Sequence, residues 1–115
     1  MKRFKYALQG IVHVFKNEQN LKIHFLTAIF VIVTGIFFSI DKTEWLIIII
    51  AITSVITLEL LNSAIEYVCN FVSPEYHEKI KIIKDVSAGV VLISAIGAFI
   101  IGLVIFLPKI ILLFF

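Results

Sequence analysis

The sequence predicts an all-α membrane protein: one domain, residues 1–115, made of an amphipathic surface helix followed by three transmembrane helices. Three observations predict it. The composition is 61% hydrophobic and 16% charged, where soluble domains hold about 45–50% and about 25%. The apolar residues are gathered into three long runs, at Ile23 to Ile40, Trp45 to Val72 and Val86 to Leu107. The lysines and the arginine fall mostly between and before those runs, where they can set an orientation. A helix needs about 20 mainly apolar residues to cross a hydrocarbon layer about 30 Å thick. The first and third runs meet that requirement outright. The second meets it only by admitting Glu59 and Glu66.

The elements follow in order. Residues 2–16 read as a surface helix, because Phe4, Leu8, Ile11 and Phe15 fall at i, i+4, i+7 and i+11 and make one narrow apolar stripe. Lys5, Gln9, His13 and Lys16 stand on the opposite side. A basic amphipathic helix of this kind lies in the headgroup plane with its apolar face in the acyl boundary. Lys2, Arg3 and Lys5 are not followed at once by an apolar core, so a cleaved signal peptide is not expected.

Asn17 to Asn20 interrupts the pattern before the first membrane helix at 21–40. Asp41-Lys42-Thr43 makes a tight turn, with Asp41 or Thr43 as the N-cap of the second membrane helix at 44–72. Ser73-Pro74 closes that helix, since proline cannot continue one and disfavours helical geometry in the residue before it. The third membrane helix covers 76–107. Its Ser94, Ala98 and Gly102 recur every four residues, a spacing that lets helix backbones approach closely inside a bilayer.

Lys2, Arg3, Lys5, Lys16 and Lys22 precede the first span, and Lys79, Lys81 and Lys84 lie between the second and third. The 41–44 turn has only Lys42, and the C-terminal end only Lys109. The positive-inside rule therefore places the N-terminus and the 73–85 loop in the cytoplasm of a bacterial inner membrane. Trp45 is then an interfacial anchor at the outer face. No nucleic-acid partner is expected. The single cysteine, Cys69, excludes an internal disulfide and reads as packing.

Ionisable groups inside a membrane helix are costly and usually functional. At 100° per residue, Glu59, Asn62, Ser63, Glu66 and Asn70 share a sector of roughly 100°. About 21 Å of helix separates Trp45 from Glu59, at 1.5 Å per residue. Glu59 thus sits just below the cytoplasmic boundary and Glu66 close to it. The stripe leads from the cytoplasm into the bilayer. Two carboxylates about 10 Å apart along the axis suit a metal ligand at the wetter end and a proton acceptor at the deeper one. Hydrogen bonding to neighbouring helices is the simpler fate for Asn62 or Ser63 taken alone.

Glu18 after the surface helix and Lys84-Asp85 at the start of the third span face the same edge. If the surface helix continued, Glu18 would project from its apolar side. Singly, each reads as a solvated interfacial group. Together with the stripe they suit a magnesium-bound phosphate compound, because magnesium prefers carboxylate oxygens, water and substrate phosphates. Neither GxxxxGK[ST] nor GxGxxG occurs, so soluble nucleotide-binding folds are not supported. His13, His24 and His77 are too scattered to argue a transition-metal site.

The segment Glu59-Leu-Leu-Asn62-Ser63-Ala64-Ile65-Glu66 resembles the signature of the prokaryotic diacylglycerol kinase family. Asn17-Glu18, Glu75-Tyr76-His77 and Lys84-Asp85 match it in type and spacing, and the resemblance covers nearly the whole chain. It implies transfer of the γ-phosphate of ATP to a lipid hydroxyl with Mg2+, in a homotrimer with shared active sites. By the same resemblance Glu59 is the general base. Glu18 and Glu66 are the metal-binding acids, Asn62 is a hydrogen-bonding residue beside the base, and Lys84 and Asp85 contact the nucleotide. One position departs from the family pattern, where an acid four residues after the second signature glutamate is replaced by Asn70. The Ser73-Pro74-Glu75-Tyr76-His77 loop and the Phe106-Leu107-Pro108-Lys109 ending resemble the branch that phosphorylates undecaprenol more than the branch that recycles diacylglycerol.

Two other classes make different demands. A channel subunit would need polar residues through the full bilayer, yet Trp45 to Ile56 offers only Thr53 and Ser54. A purely structural subunit would leave Glu18 and Lys84-Asp85 unexplained.

Overall fold

The computed structural model describes residues 2–115, which form four helices joined by short connections. They are α1 (Lys2–Asn17), α2 (Gln19–Phe37), α3 (Lys42–Val72) and α4 (Glu78–Phe114). No strand occurs among the described residues. The last three helices are long and apolar enough to cross a membrane. Their outward faces carry exposed large apolar side chains such as Phe30, Ile93 and Phe99. Such faces are stable only against lipid or another apolar surface.

α4 packs chiefly on α3, and α2 packs on α3. α1 lies across the start of α2 and touches α3. Phe15 meets Phe25 edge-on at 5.5 Å between ring centroids, and His13 meets Tyr67 of α3 at 5.9 Å. The apolar stripe Phe4, Leu8, Ile11 and Phe15 remains exposed, as a membrane-resting face requires. His13, read from sequence as part of the outward polar side, is instead turned to α3.

The connections show why the elements end where they do. α1 stops at Asn17, whose Nδ2 donates to the His13 carbonyl at 2.7 Å. The break before α2 is the single extended residue Glu18, narrower than the interruption expected over Asn17 to Asn20. α2 ends at Phe37, three residues short of the expected 40. The amides of Ser39 and Ile40 donate back to the carbonyls of Ile36 and Gly35, both at 3.2 Å. Ser39 sits at φ 51°. This is a Schellman closure, with a serine in the left-handed position glycine usually takes.

α3 begins under a full capping box. The Glu44 amide donates to Asp41 Oδ1 at 2.8 Å, and the Asp41 amide donates to Glu44 Oε1 at 3.1 Å. Asp41, not Thr43, is therefore the N-cap. α3 stops at Val72, immediately before Ser73-Pro74, as proline chemistry requires. α4 starts with His77 as its cap, its Nδ1 accepting from the Lys79 amide at 3.1 Å. It continues through Pro108 to Phe114, seven residues past the expected end at 107. Lys109, beyond the proline, pairs with Glu44 of α3 at 3.1 Å, and this contact ties the last turns down.

The tightest packing lies at the end of the bundle that carries the α2–α3 turn. Ile40, Ile48, Ile105 and Phe106 form its buried core, flanked by Trp45. Gly35 is required there, since a Cβ would fall 2.8 Å from the Trp45 ring and 3.1 Å from Ile40 Cδ1. The spaced small residues of α4 do something else. A Cβ on Gly102 would meet nothing within 4 Å, and Ala98 and Gly102 line an open cavity instead of a close helix contact. Cys69 is free and buried, as its packing role requires.

Candidate active site

The polar stripe of α3 lies at the opposite end of the bundle, where α1, α2 and α3 meet. One helical face points Glu59, Asn62 and Ser63 inward, at 3%, 5% and 1% exposure. A carboxylate so withdrawn needs a partner. One is His24 of α2, whose Nε2 lies 3.7 Å from Glu59 Oε2. Glu18, Glu66 and Asn62 complete the polar neighbourhood of Glu59. The Asn62 amide donates to Glu66 Oε1 over a long 3.5 Å.

Glu18 enters from the α1–α2 break. Its extended backbone releases the side chain from both helices, and Oε1 accepts from the Tyr67 hydroxyl at 3.2 Å. Tyr67 is held in turn by the edge contact with His13. Glu66 also lies near the Tyr67 hydroxyl. The surface helix and the stripe are thereby joined at the two acids assigned to metal by resemblance.

Two buried side-chain atoms among the described residues have no hydrogen-bond partner: Asn62 Oδ1 and Ser63 Oγ. A buried acceptor left unpaired costs about 1–3 kcal/mol. Asn62 Oδ1 is therefore free, within this chain, to accept from a donor or to meet a cation. No cluster of three or more His, Cys, Asp or Glu side chains is arranged as a closed metal cage among the described residues. A structural zinc ion would need such a closed set of protein ligands. Magnesium is held through one or two carboxylates plus substrate phosphates. Glu18, Glu66 and the free amide oxygen of Asn62 fit that second description.

Lys84 and Asp85 stand apart from this group. Lys84 Nζ donates to Asn70 Oδ1 at 2.5 Å, so the amide in place of the usual acid holds the lysine without neutralising it. Asp85 pairs with Lys81 on its own helix at 2.7 Å, on the exposed face. Of the six sequence-derived site residues, the structure thus gathers Glu18, Glu59, Asn62 and Glu66. It leaves Lys84 and Asp85 on the neighbouring surface of α4.

Sequence reasoning missed His24 and Tyr67. A signal for His24 existed: it is an imidazole just inside an otherwise uncharged apolar run, and such groups are rarely idle. Tyr67 follows Glu66 directly and gave no signal, because only the entry of Glu18 from another element makes it a partner.

A cavity of about 410 Å3 opens between α2, α3 and α4. Its walls are apolar apart from His24 and Thr27, and the Thr27 hydroxyl is already committed to the Ile23 carbonyl at 2.9 Å. An apolar groove thus leads to the imidazole that touches Glu59.

Comparison with known proteins bears on this arrangement. A family model described as prokaryotic diacylglycerol kinase matches residues 5–106, a stretch that holds every residue of the site. The chain belongs to that kinase family. It is 38% identical over 108 residues to the undecaprenol kinase of Bacillus subtilis, covering 94% of this chain and 88% of the relative. It is 39% identical over 108 residues to a diacylglycerol kinase of Synechocystis, covering 91% of this chain and 61% of the relative. The diacylglycerol kinase of Haemophilus influenzae is 36% identical over 90 residues, covering 78% and 76%. Membership of a kinase family implies the use of ATP. The two kinds of relative stand at nearly equal identity, so they do not separate the lipids.

Proposed function

We propose that this kinase transfers the γ-phosphate of ATP to the hydroxyl of a membrane lipid alcohol with Mg2+, and that undecaprenol is favoured over diacylglycerol. The observation that carries the reading is Glu59: a carboxylate buried at the inner end of a polar stripe, beside an apolar groove, in a chain of a kinase family. A base that must meet an alcohol in the bilayer and a nucleotide in water belongs at that boundary.

In this reading Glu59 takes the proton of the lipid hydroxyl. Glu18, Glu66 and the Asn62 amide oxygen hold the magnesium, which when bound neutralises charge on the phosphates. Lys84 adds a positive charge toward the nucleotide, and Asp85 lies beside it. Positioning and charge neutralisation carry most of phosphoryl transfer, so a sparse set of side chains suffices. The N-terminus and the 73–85 loop face the cytoplasm, where ATP is, in accord with the placement of the lysines.

The preference for undecaprenol draws support from the groove. A diacylglycerol brings two ester groups, and an ester buried without a donor loses hydrogen bonds it made in water. The groove offers no free donor apart from His24. A polyprenol has no polar atom besides its hydroxyl. A homotrimer is part of the same proposal: one protomer leaves Lys84 and Asp85 away from the acids, and neighbouring copies would supply the remaining walls.

Purified protein in mixed micelles, given Mg2+ and labelled ATP, tests the reading with undecaprenol and diacylglycerol offered in parallel. Both lipids are expected to be tested against Glu59→Gln, which should lower transfer about 10²- to 10⁴-fold, the usual contribution of a positioned base. Faster labelling of undecaprenol supports the lipid assignment. Labelling that survives Glu59→Gln, or no labelling of either lipid by folded protein, would overturn the mechanism.

A further inference from the structure

The proposed mechanism leaves one neighbour of the base without a task. His24 reaches Glu59 from a different helix, with Nε2 at 3.7 Å from Oε2. That is longer than a formed hydrogen bond, but catalytic contacts are often loose before substrate binds and tighten in the complex. The titratable neighbours of Glu59 are His24 on α2, Glu66 on α3 and Glu18 at the α1–α2 break. Two of the three are acids. The other nearby donor, the Asn62 amide, has two hydrogens and serves both Glu59 and Glu66 from α3 itself. His24 is the donor that reaches Glu59 from another helix, and so the one able to fix an oxygen of Glu59 relative to α2.

A second observation locates what the pair would act on. His24 lines the apolar cavity between α2, α3 and α4, whereas Glu59 is not on its wall. A chain lying in that cavity meets the imidazole before it meets the carboxylate.

We propose that His24 is a positioning residue for the phosphoryl acceptor: its Nε2–H holds Glu59 Oε2 at the end of the apolar groove and leaves Oε1 facing the incoming lipid hydroxyl. The inference rests on the lipid-kinase reading above. As the lipid oxygen bonds to the γ-phosphorus, its O–H bond breaks and the proton passes to Glu59 Oε1. The bond between the γ-phosphorus and the bridging oxygen breaks, and ADP leaves with that electron pair. His24 keeps its own proton throughout. A neutral imidazole carrying hydrogen on Nε2 can do this, and so can the imidazolium.

His24→Leu and His24→Gln, each made in the wild-type and Glu59→Gln backgrounds of the full chain, test the inference in mixed micelles with Mg2+, ATP and undecaprenol. His24→Leu should lower kcat roughly 10- to 100-fold, a part of what a positioned base contributes, and leave the KM for ATP unchanged. His24→Gln keeps a donor on a side chain of similar reach and should recover most of that kcat. In the Glu59→Gln background His24→Leu should cost nothing further, because residues that act as a unit are not additive. An unchanged kcat in His24→Leu overturns the proposal. So does equal damage from Leu and Gln, or a loss that persists without Glu59. A parallel fall in melting temperature and ATP affinity would make His24 a packing residue and overturn it as well. Wild-type protein that labels no lipid alcohol would defeat the kinase reading itself, a result distinct from all of these.

Discussion

The two ends of the bundle use the same helices in opposite ways. At the end with the α2–α3 turn, polar groups are paired and apolar ones interlock. Asp41 and Glu44 cap α3 reciprocally, Glu44 reaches on to Lys109, and Trp45 lies against Gly35 over the Ile40, Ile48, Ile105 and Phe106 core. At the end with α1, Glu59 has one imidazole and two further acids around it, and Asn62 Oδ1 and Ser63 Oγ are buried without partners. Unpaired polar atoms in a low-dielectric setting are costly. A protein keeps them where a substrate or cation will complete them, and it needs stability elsewhere to tolerate them. The turn end supplies that stability, so the contrast divides stability from function along one axis.

The sharpest way to break this division is Gly35→Ala. Its Cβ would meet the rigid indole of Trp45 at 2.8 Å and Ile40 Cδ1 at 3.1 Å. Overpacking of this kind costs about 1–3 kcal/mol. Thermal unfolding in micelles should show the loss, while kcat at a temperature where the protein stays folded should match wild type. A fall in kcat as large as the fall in stability would mean the two ends are coupled through α2 and α3.

A smaller effect is expected at the cap. Asp41→Ala removes the acceptor for the Glu44 amide and should destabilise by about 1 kcal/mol. Glu44 retains Lys109, so the ion pair limits the damage. Melting temperature should drop less than in Gly35→Ala, again without change in activity. A larger drop than in Gly35→Ala would place the strength of the turn end in its polar contacts and not in its packing.

The same division governs what could be read from the sequence. The three spans were legible because an apolar run of sufficient length has few alternatives in water. The stripe was legible because helical period alone puts Glu59, Asn62, Ser63 and Glu66 on one face. The ends of the helices were less so. Ile40 is as apolar as the residues before it, and only the backbone closure at Ser39 takes it out of α2. Pro108 carries a strong stop signal, yet the Lys109 to Glu44 pair holds the helix beyond it. Contacts between elements were the least legible. Nothing local to His24 says that it faces Glu59, 35 positions later, and nothing local to Tyr67 says that Glu18 accepts its hydroxyl.

Asn70 offers the smallest and finest test, because it lies at the edge of the site and departs from the family pattern in charge alone. Its Oδ1 accepts from Lys84 Nζ at 2.5 Å, on exposed surface. Asn70→Asp would keep this contact and turn it into an ion pair. Exposed pairs contribute about 0–1 kcal/mol, so stability should barely move. The consequence should appear in nucleotide affinity. A neutral amide leaves the whole lysine charge available to phosphate, whereas a carboxylate would share it. The KM for ATP should therefore rise, by no more than about fivefold for an effect of that size, with kcat unchanged. The rise should shrink as salt is added, since exposed charges are screened. A fall in KM would carry the opposite lesson. It would mean that an acid at this position serves the magnesium, and that the amide here weakens the metal site in exchange for an unshared lysine.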